Sequence, residues 1–327
     1  MWSVGRLGGV ALFCTDTFLD EYGDRIATIA PDLDVVALRP GDEISNDDIE
    51  RITIAFFSND AWPERAGAFF KVALAANNLE WFHSMSAGVD SPVFSSFVDR
   101  GAQLTTSSGA SAPPIAGTVM LYLLALSRGL PGWLRAQAAH TWSPAPFREL
   151  ERQRLVVVGY GPIGQEVVRL ATAFRMDPTV VRRSVRGDEA CRALALTDLT
   201  RAVSDADAVV VALPLTPETR GIISVEVIEA MPMNSVFVNV GRGELVDQRA
   251  LTEALASGRL GGAGLDVFDP EPLPRDDALW DLPNVIISPH TSGSSDGTTR
   301  RVAEIFLDNL TRFVGGDPLL NEVSSER

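Results

Sequence analysis

One turn constrains this chain more than anything else in it. Leu155–Val158 is a short apolar run with the character of a buried strand. It leads straight into Gly159-Tyr160-Gly161-Pro162-Ile163-Gly164, and Gln165–Ala173 follows with helical spacing. A strand, a G-x-G-x-x-G turn and a helix in that order form a phosphate cradle. The first glycine permits the tight turn, the second lets a pyrophosphate approach the backbone, and the third lets helix pack on strand. The helix N-terminus then offers unsatisfied N–H groups to the phosphates. The motif predicts a dinucleotide site on a doubly wound parallel sheet.

The rest of the chain has the matching rhythm. After the turn, apolar runs recur at Val180–Arg182, Ala208–Leu213, Val236–Val240, Gly264–Val267 and Val285–Ser288. Six strands with helical links are the content of a nucleotide-binding sheet. The first third carries its own series: Val10–Cys14, Val35–Leu38, Ile52–Phe56 and Trp81–Ser84, with helix-like stretches at Asp16–Ile29 and Pro63–Ala76. Ile115–Ser127 is apolar nearly all round and reads as a buried helix. Thr299–Val314 has helical periodicity. For 327 residues this means two doubly wound α/β domains. One comprises residues 1–114 and 295–327, the other residues 115–294.

Composition narrows the chemistry. Acidic residues outnumber basic ones 43 to 28, a formal net charge of −15. Such a surface repels nucleic acid and anionic membranes. A small anionic substrate would need a local arginine working against the global field. Lys71 is the only lysine, so Schiff-base chemistry would rest on it alone. The histidines are His83, His140 and His290, and the cysteines Cys14 and Cys191 form no CxxC pair. No zinc or other metal site is expected from these counts. The sparse cysteines fit a reducing, cytoplasmic setting. Met1–Cys14 is too short in apolar length for a signal peptide, and Gly9–Phe13 reads instead as a first buried strand.

The end of the strand after the glycine turn selects the dinucleotide. An acidic residue there would bind the ribose hydroxyls of NAD, whereas arginine accommodates the 2′-phosphate of NADP. The residues are Arg182, Arg183 and Ser184, with no carboxylate among them. Forked guanidinium donors suit a phosphate, so NADPH is expected over NADH. The alternative is a solvated basic face.

Three further strand ends carry polar residues where open α/β sheets place their ligands. They are Val238-Asn239-Val240-Gly241-Arg242-Gly243, Gly264-Leu265-Asp266-Val267-Phe268-Asp269-Pro270-Glu271-Pro272 and Ile287-Ser288-Pro289-His290-Thr291-Ser292-Gly293. Together they supply a fixed cation, an imidazole and a carboxylate able to orient it. These stretches resemble the signatures of the D-isomer-specific 2-hydroxyacid dehydrogenase family, in particular its glyoxylate/hydroxypyruvate reductases, over nearly the whole chain. Ser86-Ala87-Gly88-Val89-Asp90 resembles the family's substrate loop. Leu213-Pro214-Leu215-Thr216-Pro217-Glu218-Thr219-Arg220-Gly221 resembles its cofactor-lining stretch, and Pro318-Leu319-Leu320-Asn321 its tail.

The resemblance implies NADPH-dependent reduction of a 2-oxo acid to a D-2-hydroxy acid. It implies a flavodoxin-like substrate domain, a Rossmann cofactor domain with an interdomain cleft, and a homodimer. His290 would be the general acid, Glu271 would hold it protonated, and Arg242 would bind the substrate's carboxylate and keto oxygens. The N–H groups of Ala87, Gly88 and Val89 would hold the substrate carboxylate. Cofactor contacts would come from Gly159, Gly161, Pro162, Ile163, Gly164, Leu213, Pro214, Val240, Gly241, His290, Ser292 and Gly293. Asp266 would meet the nicotinamide carboxamide.

Other readings stay open. A dinucleotide-sensing binding protein shares this fold and similar residues, and turnover separates the two. A formate-type enzyme pairs its histidine with glutamine, against Glu271. His83 either lines the site or packs the core, His140 is structural or lies at the interdomain edge, and Cys191 sits buried in a helical stretch. Asn59 and Asp60 follow a strand with no assigned role. Where relatives have an Ala-Glu-His-like run, this chain has Ala116-Gly117-Thr118, a change that alters hydrogen bonding at the hinge.

Overall fold

The computed structural model describes residues 10–89 and 91–323. Residues 1–9 of the N-terminal run weighed above as a leader lie outside these residues, as does Asp90 of the loop motif. The chain divides into two compact units, one of Met1–Ala110 with Ser295–Arg327 and the other of Ser111–Ser294. The first boundary falls four residues before the expected one. The long apolar helix starts earlier than its hydrophobic pattern, at Ala112, with prolines in its first turn. Proline is tolerated there because the first N–H groups of a helix have no partner within it.

In the first unit, β1 (Ala11–Thr15), β2 (Asp34–Leu38), β3 (Ile52–Phe57), β4 (Trp81–Ser84) and β5 (Gln103–Thr106) form one sheet. Its order is β2-β1-β3-β4-β5 and every pairing is parallel. This is the flavodoxin-like order, which reverses direction at β1 and β3. The helix Asp16–Ile29 starts where Thr15 accepts a hydrogen bond from the Phe18 N–H. It buries Phe18, Tyr22 and Ile26, four residues apart. The C-terminal helix Asp296–Gly315 returns to this unit and stacks Phe306 on Phe56, ring centroids 4.2 Å apart.

His83 resolves as a core residue. It is fully buried on β4, with Nδ1 2.7 Å from the Thr105 hydroxyl and Nε2 3.0 Å from the Ser107 hydroxyl. Burial pushes its pKa down from 6.5 to about 3. The fold therefore favours the neutral ring. As pH falls below 6.5, the unfolded chain takes up a proton that the folded chain refuses, and stability drops until the folded value is reached. About 2 kcal/mol should be lost through this residue between roughly pH 7 and pH 5. Urea unfolding at both pH values checks it: His83→Gln, though less stable itself, should lose that part of the slope. An unchanged slope would place the acid sensitivity elsewhere.

The second unit holds β6 (Arg154–Val158), β7 (Asp177–Arg182), β8 (Arg192–Ala195), β9 (Ala208–Val211), β10 (Val236–Asn239), β11 (Gly262–Leu265) and β12 (Val285–Ile287). The order β12-β11-β10-β9-β6-β7-β8 is parallel throughout. It is the Rossmann order with β12 added at one edge, and β8 is the strand not expected from the sequence. The direction reverses between β6 and β9, the switch point where such sheets bind ligands. Valines fill the middle strands: Val156, Val157, Val158, Val209, Val210 and Val211 are all buried. Buried parallel strands read as continuous apolar runs for this reason.

Two strands were not expected, and both are edges. β5 carries Gln103, Thr105 and Thr106, and β8 carries Arg192. Cys191 is corrected with β8: it precedes an edge strand, is partly exposed and lies in no helix. Gly117 and Thr118 leave the long helix intact, with the Thr118 hydroxyl donating to the Pro114 carbonyl at 3.1 Å. Among the described residues no single helix is long and apolar enough to cross a membrane.

Candidate active site

The glycine turn joins β6 to the helix Pro162–Ala173. Gly159 has φ +111°, and a Cβ there would lie 2.5 Å from the Ala212 carbonyl oxygen. A Cβ on Gly164 would lie 2.0 Å from the Gly159 carbonyl oxygen. Both glycines are therefore required by the protein's own packing. Gly161 is not: a Cβ there would meet nothing within 4 Å. Its φ of −77° suits any residue. The space over Gly161, at a helix N-terminus, fits a pyrophosphate pressed against bare backbone.

β7 ends at Arg182, as required for reading the ribose. Arg182 Nη1 lies 2.8 Å from Glu189 Oε1, and its guanidinium carbon lies 5.6 Å from the centre of the Tyr160 ring. Glu189 also accepts from the N–H groups of Arg186 at 2.9 Å and Gly187 at 2.8 Å. These backbone bonds, with Arg182, hold its carboxyl down at about 2. The Ala190 N–H donates to the Tyr160 hydroxyl at 3.0 Å, tying the same loop to the glycine turn. The sequence assigns no role to Glu189 or to the Tyr160 side chain, since no motif spacing links either to Arg182.

The opposite side of the switch point carries the catalytic candidates. His290 follows β12 with φ +51°. Its N–H donates to the Asp266 carbonyl at 2.8 Å, and its Nδ1 lies 2.9 Å from Glu271 Oε2. The other Glu271 oxygen accepts from the Phe268 N–H at 3.0 Å, so the carboxylate is anchored at both ends. An ionised carboxylate only accepts, so Nδ1 carries the hydrogen. Nε2 makes no hydrogen bond among the described residues. Sequence proximity could not bring these groups together, since 19 residues separate them.

Asp266, expected to meet the nicotinamide carboxamide, directly follows β11. Its side chain is 1% exposed. The carboxylate accepts from the hydroxyls of Ser288 and Ser292, and from the N–H groups of Thr291 at 3.0 Å and Ser292 at 3.2 Å. It therefore grips the loop that presents His290. The Ser288 proton is committed to Asp266, so the Tyr122 hydroxyl donates to Ser288. Gly264 makes room for that tyrosine, since a Cβ on it would lie 2.3 Å from the ring.

Arg242 directly follows the Val240-Gly241 turn after β10. Its Nη1 donates to the Gly241 carbonyl at 2.8 Å, and it makes no ion pair among the described residues. The Asn239 amide fixes this turn, donating to the Arg242 carbonyl at 2.9 Å and accepting from the Gly241 N–H at 3.0 Å. After β9, Thr219 stiffens the Leu213-Pro214 stretch by donating to the Pro214 carbonyl at 2.8 Å.

In the first unit, the Ser86 hydroxyl donates to the Gly88 carbonyl at 2.8 Å and curls the loop. The N–H groups of Ala87, Gly88 and Val89 find no partner among the described residues. Asp60 is a structural residue: it accepts from the hydroxyls of Thr15 and Ser58 and pairs with Arg65.

A glycine turn at the switch point, with an imidazole–carboxylate pair across it, defines a dinucleotide-binding oxidoreductase. Residues 120–292 match the family model for the D-isomer specific 2-hydroxyacid dehydrogenase NAD-binding domain. A hydroxyphenylpyruvate reductase from Plectranthus scutellarioides is 32% identical over 262 residues, covering 79% of this chain and 82% of that protein. A D-3-phosphoglycerate dehydrogenase from Methanocaldococcus jannaschii is 30% identical over 90% of this chain, which spans 52% of that longer protein. A D-isomer specific 2-hydroxyacid dehydrogenase from Xanthobacter autotrophicus Py2, solved with NADPH and MES, superposes with a TM-score of 0.78 at 29% identity, covering 97% of this chain and 98% of that one. This chain belongs to the D-isomer-specific 2-hydroxyacid dehydrogenase family, a family of nicotinamide-dependent dehydrogenases and reductases.

Proposed function

We propose that the protein reduces a small 2-oxo acid to the D-2-hydroxy acid with NADPH as the preferred reductant. The observation that carries this reading is the His290–Glu271 pair, held at 2.9 Å with Nε2 unengaged. Bound NADPH supplies the hydride that adds to the keto carbon. His290 gives its Nε2 proton to the keto oxygen as the carbonyl π bond opens. Glu271 orients the ring and compensates its positive charge before transfer. Arg242 binds the carboxylate and keto oxygens and stabilises charge developing on the latter. The N–H groups of Ala87, Gly88 and Val89 are assigned to the substrate carboxylate. Gly161, Pro162 and Ile163 are assigned to the pyrophosphate, and Val240, Gly241, Ser292 and Gly293 to the nicotinamide end. Asp266 acts by fixing the 288–292 loop. A cytoplasmic homodimer belongs to the same proposal, resting on the family resemblance and on two unpaired cysteines.

The test is loss of NADPH and NADH absorbance with glyoxylate, hydroxypyruvate, pyruvate and phenylpyruvate. Oxidation with any of them supports the reading, and the two cofactor rates give the preference. Tight NADPH binding without turnover of any 2-oxo acid would point to a sensor. Glu271→Gln should lower kcat by about ten- to a hundredfold, the imidazole having lost its anionic partner. A kcat within about twofold of wild type would count against the pairing, since even one weak hydrogen bond is worth about that factor.

A further inference from the structure

Arg182 and Arg183 stand together where the ribose is read, yet they are not equivalent. The Arg182 side chain is 17% exposed, and Glu189 beside it is 2% exposed. Asp188 adds a second carboxylate at 3.6 Å. Arg183 is 75% exposed, and its nearest acid, Glu218 at 3.9 Å, is exposed as well.

A fixed, covered carboxylate is a standing competitor for its arginine. To bond a 2′-phosphate, Arg182 would have to leave Glu189 without its cation, which is costly in a covered site. The alternative is to bring a dianion beside a carboxylate, which is repulsive. A ribose hydroxyl raises neither conflict. Glu189 is also hard to displace, because two backbone N–H groups hold it independently of Arg182.

We propose that Glu189 is a specificity-determining residue that withdraws Arg182 from cofactor discrimination. Reading of the 2′-phosphate then falls to Arg183 and Ser184, and the preference for NADPH is weaker than two adjacent arginines would impose. This rests on the nicotinamide-cofactor reading above.

The test is Kd for NADPH and for NADH, by fluorescence titration of the full chain. Glu189→Gln should raise the NADPH-over-NADH affinity ratio about tenfold, the size of one charge-assisted hydrogen bond. The gain should vanish in the double variant Arg182→Ala, Glu189→Gln. Arg183→Ala should lower the ratio by about the same factor. An unchanged ratio in Glu189→Gln, or equal weakening of both cofactors, overturns the proposal, the latter marking Glu189 as a mere loop anchor. If that variant does not fold, Arg183→Ala decides alone, because a retained ratio there also overturns it. Wild-type protein that binds neither cofactor would defeat the cofactor reading itself, a separate outcome.

Discussion

His290→Ala is expected to lower kcat for 2-oxo acid reduction by about 10²- to 10⁴-fold, the usual range for a positioned general acid, with NADPH binding retained. The reasoning begins with the loop. Asp266 receives two hydroxyls and two backbone N–H groups from Ser288–Ser292, and its own carbonyl receives the His290 N–H. Removing the imidazole leaves all of those bonds in place, so the loop and the strand end behind it should hold their shape. What disappears is the Nε2 proton, and Glu271 cannot replace it, since its carboxylate faces Nδ1 and the Phe268 N–H. Stopped-flow measurement of NADPH oxidation, with a parallel binding titration, separates the two quantities. Turnover near wild type would end the general-acid assignment. Loss of binding along with turnover would mean that His290 holds the cofactor site together instead.

Much of this architecture can be read without coordinates, for a physical reason. Strands covered on both faces have no polar periodicity to confuse, so Leu155–Val158 and Ala208–Val211 announce themselves as apolar runs between helical stretches. Edge strands lack that cover. Arg192–Ala195 and Gln103–Thr106 are short and partly polar, and each pairs with one strand only, β7 and β4. The same logic divides the site. His290, Glu271 and Arg242 each come after an apolar strand, and a parallel sheet brings the ends of its strands to one edge, so their placement at that edge is legible. The partnership of Arg182 with Glu189 comes from a loop fold, and no strand–turn–helix rule reports it. Asp266 stands at a strand end as expected, but which groups satisfy its carboxylate depends on Ser288 and Ser292, whose hydroxyls carry no signature of their own.

Gly161→Ala should separate cofactor binding from folding at the glycine turn. In the protein alone, the added methyl has open space and an ordinary backbone conformation. Loss of a glycine restricts the unfolded chain, so stability should hold or rise by about 0.4–1 kcal/mol. The methyl would stand where a pyrophosphate must touch backbone, and NADPH affinity should fall by at least about tenfold, or 1.4 kcal/mol. Gly164→Ala is the contrasting case. Its methyl would sit 2.0 Å from the Gly159 carbonyl oxygen, which is backbone and cannot rotate aside. The helix Pro162–Ala173 would have to move off β6, at a cost of about 1–3 kcal/mol or more. Thermal unfolding and cofactor titration of both variants give opposite patterns under this reading: Gly161→Ala is stable and binds NADPH more weakly, while Gly164→Ala is unstable. Wild-type NADPH affinity in Gly161→Ala would show that the space over that glycine belongs to no phosphate, and the dinucleotide site would have to be sought away from the switch point.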